Sequence, residues 1–208
     1  MTGDRFAMMH LYPGMGATNA MYTGVWRELP DSRFHDWPEW TGEASIKALA
    51  TRLIGLHEIK KGDVVMGTSL GGMVACEIAN QIALSRLVLI GSARSPQEIN
   101  GLLRVLQPLV DTVPFEVLQF SAGKIPKELS MMFHQSDPRF VRSMCKAVLN
   151  WEGLTCEVKT TRIHGNRDFI IPEPRSGVDW TIDGGGHLIV MSHAGACMEV
   201  IRKALYSE

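Results

Sequence analysis

The segment Gly67-Thr68-Ser69-Leu70-Gly71 constrains the fold more than any other stretch of this chain. The apolar run Asp63 to Met66 precedes it and reads as a buried strand. Met73 to Ile82 follows, with Val74, Ile78 and Ile82 on one helical face, and Arg86 to Ile90 is a second β-branched and leucine-rich run. Strand, tight turn, helix and strand in this order predict a right-handed crossover in a parallel sheet. A serine at such a turn is forced into a strained backbone conformation, and a side chain larger than hydrogen two residues to either side would clash. The turn therefore presents the Ser69 hydroxyl above the sheet, at the N-terminus of the following helix, where free N–H groups favour developing negative charge. A phosphate-binding loop would need Gly-Lys-Ser/Thr or Gly-x-Gly-x-x-Gly, and neither is present.

The rest of the chain repeats the alternation. Phe6 to Leu11 and Arg33 to Trp37 read as strands stopped by Pro13-Gly14 and Pro38, and Ala44 to His57 has the spacing of an amphipathic helix. Glu157 to His164 and Val178 to Ile182 are further strands, and Ala194 to Tyr206 is a closing helix with Cys197, Val200, Ile201, Ala204 and Leu205 as its apolar face. Between about 95 and 152 the pattern changes to helical segments near 99–109, 115–120, 127–133 and 140–149, punctuated by Pro108, Pro114, Pro126 and Pro138. The expectation is one α/β domain over 1–208, a mostly parallel sheet with helices on both faces, interrupted by a helical cap. Met131, Met132 and Met144 within the cap fit plain core better than a substrate pocket.

A serine hydroxyl is a poor nucleophile unless a base takes its proton, so Ser69 requires a histidine and a group to orient it. The chain has seven histidines. His187, in the glycine-rich loop Asp183-Gly-Gly-Gly-His-Leu after the last strand, is placed to reach the turn. His193, at the start of the closing helix, reads as a capping or surface residue. His10 and His164, at strand ends, read as structural hydrogen-bonding groups, and His35, His57 and His134 have no supporting context. The orienting carboxylate belongs at the carboxyl end of a strand preceding that loop. Asp168, in His164-Gly-Asn-Arg-Asp168, fits; Asp179 lies inside a strand and Asp183 too near His187, so both read as surface groups. An oxyanion hole needs two N–H donors. The candidates are the backbone N–H of Leu70, directly after the serine, and that of Met15 in the loop Tyr12-Pro-Gly-Met-Gly.

The Pro-Gly-Met-Gly loop, the Gly-Thr-Ser-Leu-Gly-Gly turn, the His-Gly-Asn-Arg-Asp segment and the Gly-Gly-His loop resemble, in order and position, those of the α/β-hydrolase superfamily over nearly the whole chain. The resemblance implies a triad of Ser69, Asp168 and His187, oxyanion donors at Met15 and Leu70, and a cap near 95–152 that shapes the substrate pocket. It also implies a sheet of about six strands rather than eight, because strands that usually precede the oxyanion strand are missing. Tyr12-Pro13-Gly14 stands where many members have His-Gly, which resembles a Pro-Gly-Met subset.

Composition narrows the function classes. Lys+Arg 21 against Asp+Glu 22 leaves no basic stripe for nucleic acid, the pair Lys60-Lys61 being offset by Asp63. No apolar run approaches the roughly 20 residues of a membrane span, and the first ten residues do not read as a signal peptide, so a cytoplasmic protein is expected. Cys76, Cys145, Cys156 and Cys197 form no Cys-x-x-Cys pair and are expected as buried free thiols. The reading is a cofactor-free and metal-free carboxylesterase-like enzyme, monomeric or homodimeric, acting on a small-molecule ester or thioester through an acyl-enzyme. Thioesterase, acyltransferase and carbon–carbon bond hydrolase use the same parts, and a non-catalytic ligand-binding protein on this scaffold is the rival from another class.

Overall fold

The computed structural model describes residues 7–99 and 137–206. Six strands form one sheet: β1 (Met9–Tyr12), β2 (Ser32–Phe34), β3 (Val64–Thr68), β4 (Arg86–Ile90), β5 (Thr160–Gly165) and β6 (Trp180–Ile182). Every neighbouring pair is parallel, and the spatial order is β2-β1-β3-β4-β5-β6. The chain leaves β1 towards one edge and returns to build the rest of the sheet on the other side. The switch point thus lies between β1 and β3, where a parallel sheet opens a crevice at its carboxyl edge. Register sets Tyr12 opposite Gly67, so the loops after β1 and β3 leave the sheet side by side.

Strand side chains alternate between two cores, as the period of two requires. Val65, Leu87 and Leu89 join one apolar cluster, with α1 (Ile46–Leu56), α2 (Leu70–Ala79) and α3 (Pro138–Leu149). Val64, Met66, Val88 and Ile90 join the other, with a short α4 (Ile189–Ser192), α5 (Ala194–Tyr206) and Trp26. Helix α2 is buried along its whole length, which is why it is apolar nearly all round. Its one carboxylate, Glu77, is buried because it accepts the indole N–H of Trp151 at 2.9 Å. Side-chain caps start two of the helices: Ser45 accepts from the Ala48 N–H of α1 and Asp137 from the Arg139 N–H of α3.

Sequence and structure differ mainly at boundaries. Helix α2 begins at Leu70 rather than Met73, because Gly71 and Gly72 belong to its first turn. Strand β2 ends at Phe34, leaving Trp37 in the following loop. Two 3-10 turns, Asn19–Met21 and Gly24–Glu28, fill the β1–β2 connection, which the sequence left without structure; they carry Tyr22 and Trp26 into the core, and the Trp26 indole donates to the Val190 carbonyl at 2.7 Å. Of the helical segments expected between 95 and 152, the last is α3, with Met144 fully buried in the core. The segments near 99–109, 115–120 and 127–133, with Met131, Met132 and His134, lie outside the described residues. Cys76, Cys145 and Cys197 are buried free thiols, whereas Cys156 is only half-buried. Among the described residues no helix is long and apolar enough to cross a membrane.

Candidate active site

Ser69 occupies the single residue between β3 and α2, with φ 53° and ψ −120°, a region that L side chains rarely adopt. Close packing dictates this corner. A Cβ on Gly67 would collide with the Gly71 carbonyl, and one on Gly71 with the backbone oxygens of Tyr12 and Pro13. The strand, the helix and the loop after β1 can therefore meet only through bare backbone. Hydrogen bonds hold the strained residue: its N–H donates to the Ile90 carbonyl, and its carbonyl accepts the Ser92 hydroxyl at 2.7 Å and the N–H groups of Gly72 and Met73.

The loop after β6 brings His187 over this corner. Its Nε2 lies 3.0 Å from Ser69 Oγ and its Nδ1 2.8 Å from Asp168 Oδ2. Asp168 follows β5; its other oxygen, Oδ1, accepts the N–H groups of Ile170 at 2.9 Å and Ile171 at 3.0 Å. The carboxylate is fully buried, and burial by itself would raise its pKa. The neighbouring His164, the hydrogen bond and charge of His187 and the Ile171 amide outweigh that and hold it at about 2. An ionised carboxylate only accepts, so Nδ1 of His187 carries the proton and Nε2 is left to accept from the Ser69 hydroxyl. The three side chains come from three separate loops, all at the carboxyl edge of the sheet.

Met15 and Leu70 flank the same corner. Leu70 opens α2, so its N–H has no carbonyl four residues back within the helix. Gly14, one residue before Met15, sits against Ser69, a Cβ built on it falling 3.6 Å from Ser69 Cβ. The Met15 side chain is buried, its sulfur 3.7 Å from Cys145 Sγ of α3.

The rivals lie elsewhere. Asp179 accepts the Arg162 N–H, Asp183 accepts from the Asn166 amide, and His193 bonds Ser192. The sequence marked His164 as a structural hydrogen-bonding group without naming its partner, and it missed Ser92. His164, on β5, bonds the Ile171 carbonyl at 2.7 Å and stands 3.5 Å from Asp168 Oδ2, so it braces the turn that carries the carboxylate. Ser92, just after β4, fastens the Ser69 carbonyl. The signal for His164 was its place at a strand end, four residues before Asp168; nothing local marked Ser92. Among the described residues no group of three His, Cys, Asp or Glu side chains is arranged to hold a metal ion.

The profile of the alpha/beta hydrolase family matches residues 9–200. The chain belongs to that family. No curated protein matches it. As an alpha/beta hydrolase it is similar in structure to an esterase from Thermogutta terrifontis, at TM-score 0.68 and 21% identity over 96% of this chain and 89% of that one. It is similar to olei00960, a hydrolase from Oleispira antarctica, at TM-score 0.76 and 16% identity over 99% and 93%. The enol-lactonase from Burkholderia xenovorans LB400 aligns at TM-score 0.67 and 15% identity over 99% and 93%. At these identities the likeness is one of fold, and the six-stranded parallel sheet flanked by helices is that of an α/β-hydrolase.

Proposed function

We propose that this alpha/beta hydrolase is a serine esterase that cleaves a small-molecule carboxylic ester through an acyl-enzyme. The observation that carries the reading is the relay of Ser69 Oγ, His187 and Asp168, at 3.0 and 2.8 Å, around a serine held at positive φ. In the first half-reaction His187 Nε2 takes the Ser69 proton while Oγ attacks the ester carbonyl. The carbonyl oxygen becomes an oxyanion, received by the N–H groups of Leu70 and Met15; one such donor is worth about 10²- to 10³-fold in rate. The imidazolium, stabilised by Asp168, then gives its proton to the departing alkoxide, which leaves as the alcohol. Water, deprotonated by the same Nε2, attacks the acyl-enzyme and releases the acid and free Ser69. An esterase and an enol-lactonase stand among its structural neighbours beside a type II thioesterase, so acyl transfer from an ester is the reading they support and a thioester is the alternative acyl donor for the same parts.

The test is a fluorophosphonate probe followed by intact mass, on the wild type and Ser69→Ala, together with p-nitrophenyl esters from acetate to long acyl chains. One adduct on the wild type alone, and ester turnover that falls on the order of 10⁶-fold in the variant, are expected. An unlabelled wild type, or turnover that survives Ser69→Ala, would overturn the reading.

A further inference from the structure

Trp37 lies in the loop between β2 and α1, 32 positions before Ser69. Its indole Nε1–H donates to the carbonyl of Gly14 at 2.9 Å. That carbonyl also accepts the Ala17 N–H at 3.1 Å, closing a turn in which Gly16 has φ 75°. The Gly14 carbonyl and the Met15 N–H belong to one planar trans peptide unit and point in opposite directions. A donor that fixes the carbonyl therefore also fixes where the N–H points. The indole is itself clamped: its ring stacks at 6.0 Å on Tyr12, at the end of β1, and packs at 5.5 Å on Phe140 of α3. The donor thus comes from a ring held by a strand and a helix, not from a free side chain.

We propose that Trp37 is a positioning residue for the reaction: its N–H locks the Gly14–Met15 peptide with the Met15 N–H aimed at the oxygen that becomes negative beside Ser69. The proposal rests on the esterase reading, with Met15 as an oxyanion donor. Two hydrogen bonds on one carbonyl also polarise the peptide and strengthen its N–H as a donor. Without the indole, the Ala17 N–H alone restrains the unit, and Gly14 offers it more backbone freedom than another residue would. The loss appears when charge forms on the substrate oxygen, so it falls on the chemical step and spares ground-state binding.

Trp37→Phe keeps a ring and removes the donor; site-specific replacement by 3-benzothienylalanine, with sulfur in place of N–H, does the same with the indole's shape preserved. In both, kcat on a p-nitrophenyl ester should fall about tenfold, less than for outright loss of a donor, with KM within about twofold. Affinity for a trifluoromethyl ketone, which forms a tetrahedral oxyanion on the serine, should fall by the factor lost from kcat/KM. In a Met15→Pro background, where the N–H is absent, Trp37→Phe should cost nothing further in ketone affinity. A benzothienyl protein with wild-type kcat and ketone affinity overturns the proposal, as does a loss confined to KM and melting temperature, or one that persists in full in the Met15→Pro background. Wild-type labelling by the phosphonate separates the two readings: a labelled, active wild type with an unaffected benzothienyl protein refutes the role of Trp37 alone, whereas an unlabelled, inactive wild type refutes both.

Discussion

Two groups of imidazoles lie towards opposite edges of the sheet, and their surroundings are opposite in kind. Near β5 and β6, His164 and His187 both face one carboxylate, Asp168, which is fully buried and held ionised by its hydrogen bonds. Near β1 and β2, His10, His35 and His57 face mainly each other. Ring centroids are 5.1 Å apart for His10 and His35 and 3.7 Å for His35 and His57, with Tyr12 hydroxyl 2.7 Å from His57 Nδ1. Burial, followed by the charges of its two neighbours and of Arg33, pushes His35 down to about 3; burial, His10 and Arg33 push His57 to about 4. Burial also lowers His10 against the pull of Asp63, whose oxygen is 3.5 Å away and already engaged by the Lys60 N–H. Burial without a free anion makes a stack that resists protonation. Burial beside a carboxylate makes a site where an imidazolium has a partner ready when it forms.

The comparison breaks if Asp168 can lose its charge without consequence. Asp168→Asn keeps the shape and removes the anion, and kcat on the best ester should fall about 10⁴-fold, as when a triad carboxylate is neutralised. Under the same assay His35→Phe, which preserves stacking, should leave kcat essentially unchanged. A comparable loss in both variants would mean that the two groups are not distinct.

The pH dependence of stability sharpens the contrast. His35 and His57 bind protons at about 3 and about 4 when folded, below the ordinary value of 6.5 that they regain on unfolding. The unfolded chain therefore binds the protons first, and stability falls as pH drops from about 6.5 to about 4 for His57 and to about 3 for His35. Asp168 works in a lower window: with its pKa depressed from 3.8 to about 2, its contribution is intact above about 4 and is lost below. Denaturant titrations from pH 7 to pH 3 should show His35→Phe shedding about one proton from the slope between pH 6.5 and 4. Asp168→Asn should flatten only the part below about 4. An unaltered upper slope in His35→Phe would refute the stack's depressed basicity.

The smallest effect tests the frame beneath Ser69. Ser92→Ala removes the hydroxyl that donates to the Ser69 carbonyl in a fully buried setting. About 1–2 kcal/mol of stability should be lost, read from the denaturation midpoint. A few-fold fall in kcat should accompany it as the corner loosens, with the histidine stack untouched. Full stability in Ser92→Ala would show that the remaining bonds to Gly72 and Met73 hold the corner unaided.

What could be read in advance was local. β4 lies at Arg86–Ile90 in both readings because a short apolar run between turn residues has few alternatives. Ser69, Asp168 and His187 stood out because each sits in a glycine-rich or turn segment at a strand's carboxyl end. His35 and His57 carried no mark. They are 22 positions apart, on the loop after β2 and at the end of α1, and only the folded chain brings their rings face to face. Trp37 read as the end of a strand, and no pattern announced a partner at Gly14.

The sequence by itself determined the strand–turn–helix corner and the parallel class of the sheet, because both follow from backbone sterics within a few residues and from the period of apolar side chains. Tertiary structure alone decided which carbonyl the Trp37 indole holds and where Ser92 and His164 brace the site. Those partnerships are hydrogen bonds between distant segments, and their geometry exists only once the two cores have packed the segments together.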